Sequence, residues 1–301
     1  MDEAIDGGAT ARPLWRRIVE FPLVAMLAAV AIFALAYVGG ILIGKLLPPM
    51  DKTMGDLTKA AISIGLMWAA YKLVIRHLGE RPHDDLPLAE APKGLGLGLL
   101  FGFLLFSLVV GVAAIADVYN IVGEGGTGAL VAALIATAIL PGFMEEMLFR
   151  GILFRWLEEF GGSWFALALT SAVFGAGHIF NPGATPLSSF AIAIEAGVLL
   201  GGAYMLTRNL WMPIGLHAAW NFTQGEIFDV PVSGVDSQGL VEAQLSGPQI
   251  LSGGAFGLEA SVIAMVIATT AGVALVVLAV RQGELVRPWW VMRRLARTRR
   301  F

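Results

Sequence analysis

Six side chains in this sequence could do chemistry where chemistry is least expected. Glu145, Glu146, His178, Glu195, His217 and Asn221 stand inside, or at the ends of, stretches that are otherwise almost wholly apolar. Placing a charge in hydrocarbon costs roughly 2.5–3.5 kcal/mol on insertion scales, so such residues are functional candidates. Carboxylates and imidazoles exchange protons, and an imidazole or a carboxamide can donate hydrogen bonds. The chain has four histidines, two of them in this group, and no cysteine, which excludes disulfides, thiolate metal sites and a cysteine nucleophile.

Helical spacing sorts these groups. Glu146 and Arg150 are four apart with the acid first, the favourable order for an ion pair on one helical face. Glu145 lies about 100° around the helix from Glu146, so it can face a different cavity and stay available for proton transfer. His217 and Asn221 are also four apart and should converge on one spot. Phe174 precedes His178 by four, where its ring can orient the imidazole. Pro141 and Pro213 each stand four residues before one of these groups, Glu145 and His217. A proline inside a helix frees a carbonyl one turn back and can open a wet cavity in a membrane; alternatively, Pro213 simply starts a helix in its first turn.

These groups need helices in lipid to hold them. Of 301 residues, 57% are hydrophobic and 14% charged, with a mean hydropathy of +0.75, too apolar for a soluble chain. Charge-free runs of spanning length, about 20 residues, occur at 21–43, 94–116, 125–144 and 260–280, and interrupted or shorter ones at 59–78, 160–179, 187–207 and 210–223. The fold expected is an all-α, polytopic transmembrane helix bundle of about eight spans, with Glu145 and Glu146 ending the fourth. Ala34-Leu35-Ala36 imitates a signal-peptidase site, but the apolar run continues to Leu47, as in an uncleaved anchor.

Charge placement agrees. Arg12, Arg16, Arg17, Arg76, Arg81, Lys93, Arg150, Arg155, Arg208 and the arginine tail all fall in connections of one side, while 117–124, 180–187 and 224–259 carry no Lys or Arg. Only Lys45 and Lys52 break the alternation. By the positive-inside rule both termini are expected in the cytoplasm. On this topology Glu145 and His217 belong to the cytoplasmic half, whereas His178 lies about 15 residues, or about 22 Å, along its helix. Helix five must therefore start late, tilt or break if the three are to meet.

At these residues the sequence resembles a family. Glu145-Glu146-x-x-x-Arg150, Phe174-x-x-x-His178 and His217-x-x-x-Asn221 resemble, in order and membrane setting, the three motifs of the CPBP (ABI) intramembrane endopeptidases. That family includes type II CAAX prenyl endopeptidases and bacteriocin-processing or self-immunity proteins. The resemblance covers about residues 128–225. It implies an intramembrane glutamic endopeptidase in which Glu145 is the general base and, with His178, holds the attacking water. His217 and Asn221 would donate to the oxyanion, and Glu146 and Arg150 would be mainly architectural, with Phe174 supporting. Glu195 matches no motif and reads as a cavity-lining or ion-paired residue without a catalytic role.

The division expected is a cytoplasmic tail (1–17), accessory helices (18–127), a catalytic helical core (128–225), an external loop (226–259), a last span (260–280) and a basic cytoplasmic tail (281–301). The stretch 224–259 is acidic and rich in Gly and Ser, and reads as disordered sooner than as a lid. No cofactor is expected. A zinc site on Glu145, His178 and His217 is the alternative, although no H-E-x-x-H helix is present. A transporter would show paired halves, and none is found; a non-catalytic regulator of a partner protein would keep its effect without Glu145. Expected partners are a peptide or protein substrate, prenylated or carrying a leader, and membrane lipid. Trp289 and Trp290 followed by Arg293, Arg294, Arg297, Arg299 and Arg300 suit an aromatic belt and anionic lipid, not nucleic acid. The location expected is the bacterial-type cell (inner) membrane.

Overall fold

The computed structural model describes residues 13–80, 82–128 and 130–298. Arg12, Arg81, Arg299 and Arg300, the side chain of Arg297 and residues 1–12 of the expected tail lie outside the described residues. The main helices are α1 (Pro22–Lys45), α2 (Lys52–Leu73), α3 (Ala91–Ile115), α4 (Leu130–Gly161), α5 (Ser163–Gly177), α6 (Pro186–Thr207), α7 (Trp211–Phe222), α8 (Val262–Arg281) and α9 (Trp289–Thr298). One antiparallel strand pair, β1 (Tyr119–Glu124) and β2 (Val241–Leu245), completes the outline.

Among the described residues seven helices are long and apolar enough to cross a membrane, so the chain is an all-α, multi-pass membrane protein. The expected span that falls short is the seventh, at 210–223: α7 has 12 residues, too few for a bilayer. An apolar run reads the same whether lipid or protein surrounds it, and α7 is sheathed by protein along nearly its whole length. It packs closest on α3, where Gly94, Gly98 and Gly102 repeat at intervals of four. A Cβ on Gly98 would lie 2.3 Å from the Met212 carbonyl oxygen, and one on Gly102 2.4 Å from that of Leu216. Small residues at this spacing let helix backbones meet where the lipid offers no hydrophobic drive for association.

The fourth span also differs from expectation. Glu145 and Glu146 do not end it: α4 runs on past Arg150 to Gly161, 32 residues in all, and stops where Gly162 adopts φ +87°. The charges interrupt the apolar run but not the helix, because Glu146 and Arg150 meet inside the bundle. Arg150, fully buried, is therefore no loop residue in the charge alternation. Local signals fix other boundaries: Asp51 caps α2 by accepting from the Met54 N–H at 3.0 Å, Thr185 and Ser188 form a reciprocal box at the start of α6, and Ser261 caps α8.

The two ends of the bundle differ. At one, Arg155 donates to the carbonyls of His83 and Arg76, Arg208 joins Glu158 and Glu284, and Arg293 meets Glu80. Phe21 and Trp289 pack edge to face there, 5.6 Å between centroids, so both ends of the described chain lie at this basic end. At the other, the stretch read as disordered is folded. Strand β2 pairs with β1, Val232 bridges Val235, and the Gly234 N–H donates to the Phe256 carbonyl at 3.0 Å, making a cap across the bundle.

Candidate active site

Pro141 sits within α4 and lacks the N–H that would meet the carbonyl of Thr137 four residues back. That carbonyl accepts instead from the Asn221 side-chain amide at 2.8 Å, which pins α7 to α4. The helix is wide-turned on both sides of Glu145, at Leu134–Ile139 and Met147–Phe154, and α7 continues in the same form over Thr223–Ile227. Turns of this kind gather at functional sites. Pro213 lies in the first turn of α7, the helix-start reading.

The Glu146–Arg150 pair forms as its spacing predicts, Arg150 Nη1 donating to Glu146 Oε1 at 2.8 Å. The same oxygen accepts from His217 Nδ1 at 2.9 Å, a tie across 71 residues of sequence. Arg150 also donates to the Ala196 carbonyl at 3.2 Å, and its guanidinium lies 4.8 Å from the centre of the Phe174 ring. Phe174 in turn lies 4.7 Å from the His178 ring and 6.3 Å from that of His217, centroid to centroid. One aromatic side chain thus spaces the cation from both imidazoles.

Partners assign the histidine protons. His178 Nδ1 lies 2.7 Å from the Phe174 carbonyl, which can only accept, so Nδ1 carries the hydrogen and the neutral ring has a bare Nε2. His217 uses Nδ1 to donate to Glu146, so its Nε2 donates only when the ring holds both protons. His178, His217 and Asn221 line one narrow cavity with Phe174, Glu195 and Glu259, leaving about 30 Å3 of room for water. A water needs roughly 10–15 Å3 on this measure, so the space suits water and not a side chain.

Glu145 is not among the residues lining that cavity. It is partly buried, its Oε2 reached by no donor among the described residues, and it acts electrostatically on His217 and Arg150. The cavity lies against the cap, at the end away from the basic residues, because α5 delivers His178 at its far end and Ser233 and Glu259 close over it. The half-bundle containing the basic residues is thus not where these groups meet. Glu195 lines the cavity, with one oxygen unmatched among the described residues. Sequence reasoning missed Glu259, which the cap carries in, and Gln224, whose amide donates to the Pro231 carbonyl at 2.5 Å. The only signal was an isolated acid directly before the last apolar run. Among the described residues no three His, Asp or Glu side chains are gathered as a metal site.

Residues 127–223 match the family described as Type II CAAX prenyl endopeptidase Rce1-like. All the motif residues from Glu145 to Asn221 fall within that segment, which overlaps the stretch of about 128–225 over which the motifs resemble the CPBP family. That segment of this chain is similar to the Rce1-like family. Outside it lie α1 to α3, the cap and α8. A protein of Bacillus subtilis (strain 168) named "Putative membrane peptidase YdiL" is 24% identical over 246 residues, covering 77% of this chain and 92% of that protein. No solved structure matches the chain.

Proposed function

We propose that this chain is an Rce1-like endopeptidase of the membrane interior that hydrolyses its substrate with water activated by His178 and Glu145. The observation that carries this reading is the meeting of a bare imidazole nitrogen, a second imidazole and a carboxamide at one cavity of water size. His178 Nε2 takes a proton from the water as it attacks the scissile carbonyl, and the Glu145 carboxylate stabilises the cation that forms. His217, which donates from Nε2 when the ring holds both protons beside Glu146, and the second N–H of Asn221 donate to the tetrahedral oxyanion, each worth roughly 3–4 kcal/mol in other hydrolases. On this reading Glu146 does more than hold the fold, since it sets which nitrogen of His217 faces the reaction.

The substrate class is a membrane-associated peptide, prenylated or bearing an apolar leader. An apolar groove of about 580 Å3, lined among others by Leu95, Leu99, Phe103, Phe143 and Phe222, runs between α3, α4 and α7 beside the site and suits such a chain. With the basic end in the cytoplasm, the cap faces the opposite side of the membrane.

The test is cleavage of a peptide library by purified protein in detergent, with Glu145→Ala and His178→Ala alongside, each with and without chelator. Chelator-resistant cleavage lost in both variants is expected. Cleavage abolished by chelator and restored by zinc would make the site a metallopeptidase, and equal cleavage by all three proteins would remove these residues from the chemistry.

A further inference from the structure

The reaction proposed above does not yet name the group that delivers a proton to the leaving nitrogen. A peptide bond releases an amine, a poor leaving group unless its nitrogen is protonated as the C–N bond breaks. His178 is occupied with the water and His217 and Asn221 with the oxyanion. Two further carboxyl groups line the same cavity: Glu195 from α6, 1% exposed, and Glu259 from the cap, 3% exposed. One Glu195 oxygen meets no protein donor among the described residues. Buried carboxyls are usually matched by donors, and two facing one confined space cannot cheaply both be ionised.

The cap holds Glu259 deliberately close. Ser233, at φ +50°, donates its N–H to Glu259 Oε1. The next residue, Gly234, adopts φ +81° and passes so near Pro182 that a Cβ would lie 1.8 Å from its carbonyl oxygen. Gly257, at φ +105°, passes the Pro231 carbonyl as closely as 2.0 Å on the same construction. Only glycine fits these crossings, and they lock together the segments that present Ser233 and Glu259.

We infer that Glu259 is the general acid for the departing amine, with Glu195 as the carboxyl that shares its proton across the cavity water. This rests on the hydrolase reading. Water loses a proton to His178 and its oxygen bonds to the carbonyl carbon. The C–N bond then breaks as the amine nitrogen takes a proton from neutral Glu259. Glu259, left as carboxylate, recovers the proton from His178 through cavity water, and peptide plus water become acid plus amine. Burial pushes the Glu259 carboxyl up to about 7, against the Ser233 hydrogen bond and the charge of His217, so a neutral fraction is present at neutral pH. The groups facing it are His178 at the end of α5, Glu195 on α6, His217 on α7, the Gln224 amide and the Ser233 N–H.

Leaving-group dependence tests this with the full chain in detergent. A peptide amide is compared with a nitrophenyl ester of the same acyl part, whose leaving group needs no proton. Glu259→Gln, which keeps an oxygen for Ser233, should slow amide hydrolysis about 100-fold and ester hydrolysis less than about threefold. Glu195→Gln leaves the cap contacts in place and should move the alkaline limb of amide hydrolysis to lower pH, leaving the ester profile unmoved, because a like charge beside Glu259 is gone. Equal loss on both substrates in Glu259→Gln, or no movement in Glu195→Gln, overturns the inference. An unsubstituted protein that cleaves neither amide nor ester removes the hydrolase reading itself.

Discussion

The bundle buries polar groups in two places, and it treats them oppositely. At the basic end Asp85, wholly buried, takes Tyr204 Oη at 2.7 Å and His83 Nε2 at 3.3 Å on one oxygen, and Tyr71 Oη and Arg155 on the other. Glu158 is likewise met on both oxygens, by Ser163 and by Arg208 at 2.6 Å each. Under the cap, Glu145, Glu146 and Glu195 each keep an oxygen that no donor among the described residues reaches. A saturated network fixes three loops and has nothing left over, whereas an unsaturated one costs stability and keeps capacity for a reactant. Burial of charge is common to both regions; among the described residues, unmet carboxylate oxygens are what sets the cap end apart.

That contrast can be broken by substitution. Asp85→Ala strands Tyr71, Tyr204 and Arg155 and should cost about 3–5 kcal/mol of stability, read by unfolding in micelles, with cleavage per folded molecule unchanged. A loss of specific activity at full stability would make the basic end part of the site. Asn221→Ala should behave the other way, slowing cleavage about 100-fold while its lost bond to Thr137 costs only about 1 kcal/mol; a protein that unfolds but cleaves normally when folded would make Asn221 a strut. The smallest effect concerns His83, whose imidazole is held above its usual range by the hydrogen bond to Asp85, against the cost of burial. Stabilisation from a raised histidine is complete below about pH 6.5 and fades as pH climbs through the folded value. His83 is half exposed, so His83→Gln should lower stability by only a few tenths of a kcal/mol, visible at pH 6 and absent at pH 9. An equal difference at both values would mean that the His83 charge plays no part.

Much of the site was legible because its closest relations are local. The Glu146–Arg150 and Phe174–His178 pairs are one helical turn apart, and Pro141 announces the carbonyl that Asn221 takes, although not that Asn221 takes it. The hydrogen bond between Glu146 and His217 was not legible, since no spacing rule spans two helices so far apart in sequence, and Glu146 therefore read as architecture. Seven spans followed from apolar length. The span expected at 210–223 did not, because α7 is as apolar as its neighbours but is sheathed by them. The cap was misread because glycines that suggest disorder are here the residues that let Gly234 and Gly257 cross Pro182 and Pro231.

The most direct test of the account is the single-turnover rate of peptide cleavage per folded molecule in His178→Gln, measured beside its unfolding midpoint. The account predicts a fall of about a thousandfold with the midpoint unmoved or raised. A rate within a few-fold of the unsubstituted protein would contradict it, because the bare Nε2 in the cavity would then not be taking the proton from water.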